Sequence, residues 1–145
     1  MEEEGVKLDA FLDPFGRNRK LAVHAENDLG APVASGSYRV DATVVIPASM
    51  ATVGAVASGA GRDLIHRACD VALKEGRPLI LVPRETPLSL IHLRNLVTLR
   101  EAGATIAPFI PAFYQKPATV ENIVDHFLMR IFDLLGLETD LSSRW

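Results

Sequence analysis

Leu79-Ile80-Leu81-Val82-Pro83-Arg84-Glu85-Thr86-Pro87 opens with four consecutive apolar residues and closes on a polar turn held between two prolines. The apolar run shows no polar alternation. It describes a strand buried on both faces, as in a parallel sheet covered by helices. Pro83 withholds a backbone donor and is expected to stop that strand. The same pattern recurs on either side. Thr43-Val44-Val45-Ile46 is a β-branched run expected to stop at Pro47, and Thr105-Ile106-Ala107 is a shorter run before Pro108.

Helical signals fill the intervals. Met50 to Ala60 is small and apolar, with Gly54 and Gly59, and reads as a closely packed helix. Asp63 is placed to cap a second helix running to about Glu75, with Gly76 where a C-cap belongs. A third helix fits Ser89 to Ala102, ended by Gly103. Thr119 is placed to cap a last helix, with Asn122 at the capping-box position and Leu128, Ile131, Phe132 and Leu135 forming an apolar stripe. Strands alternating with helices predict an α/β fold of three layers, a parallel sheet with helices on both faces. Residues 1–34 are rich in turn residues and carry little regular pattern. A doubly wound sheet has about five strands, so a first β-α-β portion is expected to be absent or replaced by that segment. The 145 residues then form a single, partial domain.

Bulk properties exclude several function classes. A net charge of -3 gives no basic stripe for nucleic acid. No apolar run approaches the roughly 20 residues needed to span a bilayer. Met1-Glu2-Glu3-Glu4 lacks the basic flank of a signal peptide, so a cytoplasmic location is expected. The single cysteine, Cys69, reads as a small core residue. His24, His66, His92 and His126 are scattered without metal-ligand spacing, so no metal is expected. The sequence holds no G-x-S-x-G elbow, no Walker A motif and no complete G-x-G-x-x-G.

In open α/β sheets, ligands bind beyond the carboxyl ends of the strands. The segments leaving those ends are Pro47-Ala48-Ser49-Met50-Ala51-Thr52, Pro83-Arg84-Glu85-Thr86-Pro87 and residues 108–117. Ser49 and Thr52 are either ordinary caps or hydroxyls that seat a phosphate or a polarised ring carbonyl at a helix N-terminus. Arg84 and Glu85 are either a local surface ion pair or two functional groups held at small entropic cost between prolines. Arg67 and Lys74 share a helix face with Asp70 between them. They form either a cationic clamp for a phosphate or a solvated stripe with an Asp70–Lys74 pair. Phe113, Tyr114 and Lys116 are candidate substrate contacts, and Arg130 falls on a largely apolar helix.

Ser35-Gly36-Ser37-Tyr38, the Pro47–Thr52 loop, Arg67…Lys74-Glu75, Arg84-Glu85-Thr86-Pro87-Leu88, His92-Leu93-Arg94 and Pro111-Ala112-Phe113-Tyr114-Gln115-Lys116-Pro117 occur in that order over roughly the last three quarters of the chain. Together they resemble the flavin prenyltransferases of the UbiX type. The resemblance implies a flavodoxin-like fold, bound reduced FMN, and metal-independent transfer of a dimethylallyl group from dimethylallyl phosphate to the flavin. It implies that the prenylated FMN serves a UbiD-type aromatic-acid decarboxylase, in ubiquinone biosynthesis and related chemistry. It also implies a homo-oligomer, a dodecamer, with the flavin site at subunit boundaries. Carried over by position, Ser37, Ser49, Thr52 and Arg84 match FMN contacts. Arg67, Lys74, Tyr114 and Arg130 match the groups that hold the allylic phosphate. Glu85 matches the acid/base carboxylate, and Trp145 an aromatic near the allyl group. The family's opening strand and G-x-S-G-type loop are not recognisable here. Two other readings remain: a non-catalytic flavin-binding or assembly subunit, and a flavin-dependent decarboxylase of the same superfamily. The latter relies on a P-x-M-N-type motif, where this chain has Pro47-Ala48-Ser49-Met50 and no Asn.

Overall fold

The computed structural model describes residues 21–138. Trp145 and the first 20 residues of the irregular N-terminal segment lie outside the described residues. Within them, β1 (Thr43–Ala48), β2 (Leu79–Pro83) and β3 (Thr105–Ile106) form one parallel sheet in the order β1-β2-β3. The register pairs Thr43 with Leu79, Val44 with Ile80 and Val45 with Leu81, then Ile80 with Thr105 and Leu81 with Ile106. Four α-helices accompany the strands: α1 (Met50–Ser58), α2 (Leu64–Lys74), α3 (Leu90–Glu101) and α4 (Val120–Leu134).

Pro47 does not stop its strand as expected, since β1 runs through it to Ala48, whereas β2 ends on Pro83. The regular pairing of β1 breaks between Val45 and Ala48 and resumes at Ala48 opposite Pro83. The donor that Pro47 lacks therefore falls in an irregular stretch of ladder, where its absence costs little.

Alternation along β2 divides the core. Leu79 and Leu81 pack with Met50, Val53, Val56, Cys69, Ala72 and Leu99 from α1, α2 and α3. Ile80 and Val82 face the other way, onto Ile131, with Val44, Phe127, Leu134 and Leu135 around them. Strand order explains this division. Two right-handed crossovers stepping in one direction put α1, α2 and α3 on one face and leave the other to α4. The apolar stripe on α4 is rotated slightly from the sequence reading: Phe127 and Leu134 pack against the sheet core, while Leu128 and Phe132 are half-buried beside it. Burial pushes the Cys69 thiol up to about 11, with a smaller contribution from the charge of Asp63, so it is an inert core group.

Side-chain caps begin each of the described α-helices. Ser49 accepts from the Thr52 amide, Asp63 from His66, and Thr119 forms the expected box with Asn122. Ser89 and His92 form a second capping box that the sequence reading did not foresee. Among the described residues no helix is long and apolar enough to cross a membrane.

Candidate functional site

The loops leaving β1 and β2 lie side by side at the carboxyl edge of the sheet. Ala48 pairs with Pro83, and the Arg84 amide donates to the Ala48 carbonyl at 3.3 Å. Ser49, Thr52, Arg84 and Glu85 are thereby gathered at one edge. The Ser49 hydroxyl accepts from the Thr52 amide at 3.1 Å and meets the Thr52 hydroxyl at 3.0 Å. Glu85 accepts from the Thr86 amide at 3.1 Å, and the Thr86 hydroxyl donates to the Glu85 carbonyl at 2.8 Å. Arg84 and Glu85 form no ion pair with each other, and both side chains are exposed. Exposed Ile46 and Pro47 add an apolar surface beside them. This edge offers a helix N-terminus with two hydroxyls, a guanidinium without a partner among the described residues, and an exposed apolar pair. That donor set fits a flavin ring and its polar carbonyls.

A second group lies along α2, which descends the side of β1. Its first turns (Leu64, Ile65, Ala68) flank Ile46 and Pro47, and its last (Val71, Ala72) flank Thr43 and Val44. Lys74 therefore sits near the amino edge of the sheet, while Glu85 lies past the carboxyl edge. The five residues of β2 that separate these edges span about 13 Å. Arg67 and Lys74 do not share an Asp70–Lys74 pair. Instead Asp70 binds Arg67 at 2.7 Å, and Lys74 donates to Glu75 at 3.0 Å. The helix spacing allows either pairing, and the neighbouring loop lies against the pairs that form. The Ser35–Tyr38 turn packs on this face, with the Arg67 Nε donating to the Ala34 carbonyl at 3.0 Å. Gly36 lies against the Lys74–Glu75 pair, and a side chain there would collide with the Glu75 carboxylate. Ser37 is exposed on that turn, its hydroxyl 2.8 Å from that of Ser35. The Lys74 ammonium, first by hydrogen bond and then by charge, holds the Glu75 carboxyl below its ordinary value.

Tyr114 and Arg130 lie on other elements. Tyr114 is exposed on a 3-10 turn, Phe113–Gln115, which ends at Lys116 with a positive φ of 52°. Arg130 lines a cleft of about 310 Å³ between β3 and α4, with Ile106, Pro108, Ile110, His126 and Phe127 among its walls. The ring of Phe127 packs edge-on against Phe109, centroids 4.9 Å apart. This cleft opens on the sheet face opposite α2. The structure thus gathers Ser49, Thr52, Arg84 and Glu85, and separately Ser37, Arg67 and Lys74, and separately Arg130; it does not join the three groups within one chain. Arg77, which grips the Ser35–Tyr38 turn, escaped the sequence reading. Its signal was Gly76, because a C-cap glycine turns the following side chain back over the helix end. Among the described residues no group of three or more His, Cys, Asp or Glu is placed to hold a metal ion.

A family model described as Flavoprotein matches residues 7–132. The flavin prenyltransferase UbiX of Synechocystis sp. is 53% identical over 126 residues, covering 87% of this chain and 61% of that protein. The crystal structure of AnUbiX in complex with FMN and dimethylallyl pyrophosphate superposes with a TM-score of 0.83 at 51% identity, covering 85% of this chain and 65% of that one. A dodecameric FMN-dependent UbiX-like decarboxylase from Escherichia coli O157:H7 gives 0.81 at 48% identity, covering 84% and 66%. The chain thus spans a little under two thirds of the length of these relatives.

Proposed function

Because the chain belongs to the flavoprotein family, among its flavin prenyltransferases, we propose that it moves a dimethylallyl group from dimethylallyl phosphate onto reduced FMN. The product is prenylated FMN, made in the cytoplasm for a UbiD-type decarboxylase. The observation that carries this reading is the carboxyl edge. There Arg84, its guanidinium without a partner among the described residues, follows the strand end that adjoins Ser49 and Thr52 at the N-terminus of α1.

Bound reduced FMN supplies the electron pairs that form the new bonds to the allyl group. The residues of the chain do the rest. Ser37, Ser49, Thr52 and Arg84 orient the flavin. When the carbon–oxygen bond breaks, the phosphate leaves with the electron pair, and fixed cations must stabilise its charge. Arg67, Lys74 and Arg130 serve that purpose, and Tyr114 donates a hydrogen bond to the same oxygens. Glu85 would accept and return a proton at its carboxylate. Trp145 supplies an aromatic face to allyl cation character.

The separation of these groups within one chain supports a site completed between copies, and so a homo-oligomer of the dodecameric kind. Exposed Leu90, Ile91, Leu93 and Val97 on α3 offer apolar surface for such packing. The test is anaerobic incubation of the purified oligomer with FMN, a reductant and dimethylallyl phosphate, with the pyrophosphate in a parallel arm. The expected result is the mass of prenylated FMN. Tight FMN binding with no product in either arm would instead establish a flavin-holding or assembly subunit. Release of carbon dioxide from an aromatic acid or a C-terminal cysteine, without prenylated FMN, would place the chain with the decarboxylases.

A further inference from the structure

We propose that Arg77 is a positioning residue of the site, the group that fixes how the Ser35–Tyr38 turn presents Ser37 and lies against Lys74. This rests on the reading above, in which Ser37 serves the flavin and Lys74 the phosphate. The chain end of α2 prepares the arrangement. Gly76 takes a φ of 64° and its amide donates to the Leu73 carbonyl at 3.1 Å, while the Arg77 amide donates to the Ala72 carbonyl at 2.8 Å. These two bonds form a Schellman turn, which returns the chain over the helix end. The half-buried Arg77 then reaches a segment nearly 40 positions away. Its Nη1 donates to the Tyr38 carbonyl at 2.8 Å and its Nη2 to the Gly36 carbonyl at 2.7 Å.

Those two carbonyls bracket the pair Ser37–Tyr38. A rigid planar fork that grips the backbone before Ser37 and after Tyr38 restrains the direction of the Ser37 side chain. The same grip presses Gly36 onto the Lys74–Glu75 pair, where an added Cβ would stand 3.0 Å from the Lys74 Nζ. At the other end of the turn the Arg67 Nε holds the Ala34 carbonyl. The other hydrogen bonds of the turn among the described residues are local: the Ser35–Ser37 hydroxyl contact, the Ser37 amide to the Ser35 hydroxyl at 3.4 Å, the Tyr38 amide to the Ser35 carbonyl at 3.2 Å and the Ser35 amide to the Pro32 carbonyl at 3.0 Å. Arg77 touches neither ligand in this scheme and acts through the turn.

The test compares full-length wild type with Arg77→Met, Arg77→Lys and, as a control in an exposed surface pair, Arg39→Met. Three readouts are taken: amide hydrogen exchange, FMN affinity by fluorescence quenching, and the KM and kcat for dimethylallyl phosphate. Arg77→Met is expected to speed exchange at Gly36–Tyr38 by roughly tenfold, leaving the Val71 and Ala72 amides protected. The FMN Kd and the KM are expected to rise by a similar factor, with Arg77→Lys intermediate and Arg39→Met unchanged. Unchanged exchange in the turn overturns the proposal. So does faster exchange with FMN affinity and KM at wild-type values, or equal loosening of α2, since each leaves Arg77 merely structural. If Arg77→Met fails to fold, the same criteria apply to Arg77→Lys. Wild type that binds no FMN breaks the functional reading and the positioning role with it, while the exchange data still report separately whether Arg77 holds the turn.

Discussion

The carboxyl edge of the sheet and the flank of α2 use similar side chains in opposite ways. At the edge, among the described residues, the Arg84 guanidinium has no ion-pair or hydrogen-bond partner, and the Glu85 carboxylate bonds only to the amide of the next residue. Along α2, Arg67 holds a carboxylate and a carbonyl, Lys74 a carboxylate, and Arg77 two carbonyls. Groups of the first kind keep their hydrogen-bonding capacity for an incoming molecule. Groups of the second kind are set before it arrives, so less orientational freedom is lost on binding. One sequence therefore builds a receiving surface and a pre-set frame, and substitutions in each should fail differently.

The largest difference is expected at Glu85. In Glu85→Gln the amide oxygen still accepts from the Thr86 amide, so the turn keeps its shape. What is lost is the ability to take and return a proton, which is worth about 10²- to 10⁴-fold in rate. FMN titration should give wild-type affinity while prenylated FMN formation falls by about that factor. Wild-type turnover in this variant would remove Glu85 from the mechanism and leave the carboxyl edge as a binding surface alone.

These two regions were not equally legible in the sequence. The carboxyl edge was readable because its signals are local: an apolar run, a proline, then polar residues over a few positions. The burial of Leu79–Val82 and the caps Asp63, Thr119 and Asn122 followed from the same short-range grammar. Pro47 misled, since a missing donor does no harm where the ladder is already irregular and β1 continues to Ala48. The frame was less legible because its bonds are long-range. Nothing in the spacing of α2 favours Arg67–Asp70 over Asp70–Lys74. The contacts that accompany the observed choice come from Ala34 and Gly36, more than 30 positions upstream. Arg77 was invisible for the same reason, its partners lying 39 and 41 positions away.

A smaller effect is expected at Gly36, and it tests whether the frame is a unit. A methyl group there would meet the Glu75 carboxylate. That carboxylate ends a flexible side chain and can swing aside, so Gly36→Ala should fold. Swinging aside breaks its bond to Lys74, however, and leaves the ammonium free to wander. The expected outcome is a several-fold rise in KM for dimethylallyl phosphate with kcat and FMN affinity little changed. A fall in kcat with KM unchanged would mean that the turn acts on the carboxyl edge and not on the flank.

The smallest effect, and the most direct measure of the frame, is the titration of Glu75. The Lys74 hydrogen bond and then its charge favour the ionised carboxylate, so the folded value lies below the ordinary 4.5. A carboxyl depressed on folding stabilises the protein above its unfolded value, and that contribution is lost as pH falls through the folded value. The pair should therefore persist as the solution is acidified past 4.5 and open only below it. Both side chains are partly exposed, at 46% for Lys74 and 36% for Glu75, so salt should weaken the depression. Carbon-13 titration of the Glu75 carboxyl is expected to show the depressed midpoint in wild type and its return towards the ordinary value in Lys74→Met. Arg77→Met should move it far less, because Arg77 contributes the weakest of the lowering influences. A midpoint indifferent to Lys74→Met would show that the ammonium does not rest on Glu75 in solution. The flank of α2 would then be a receiving surface like the carboxyl edge, with its cation free until the phosphate arrives.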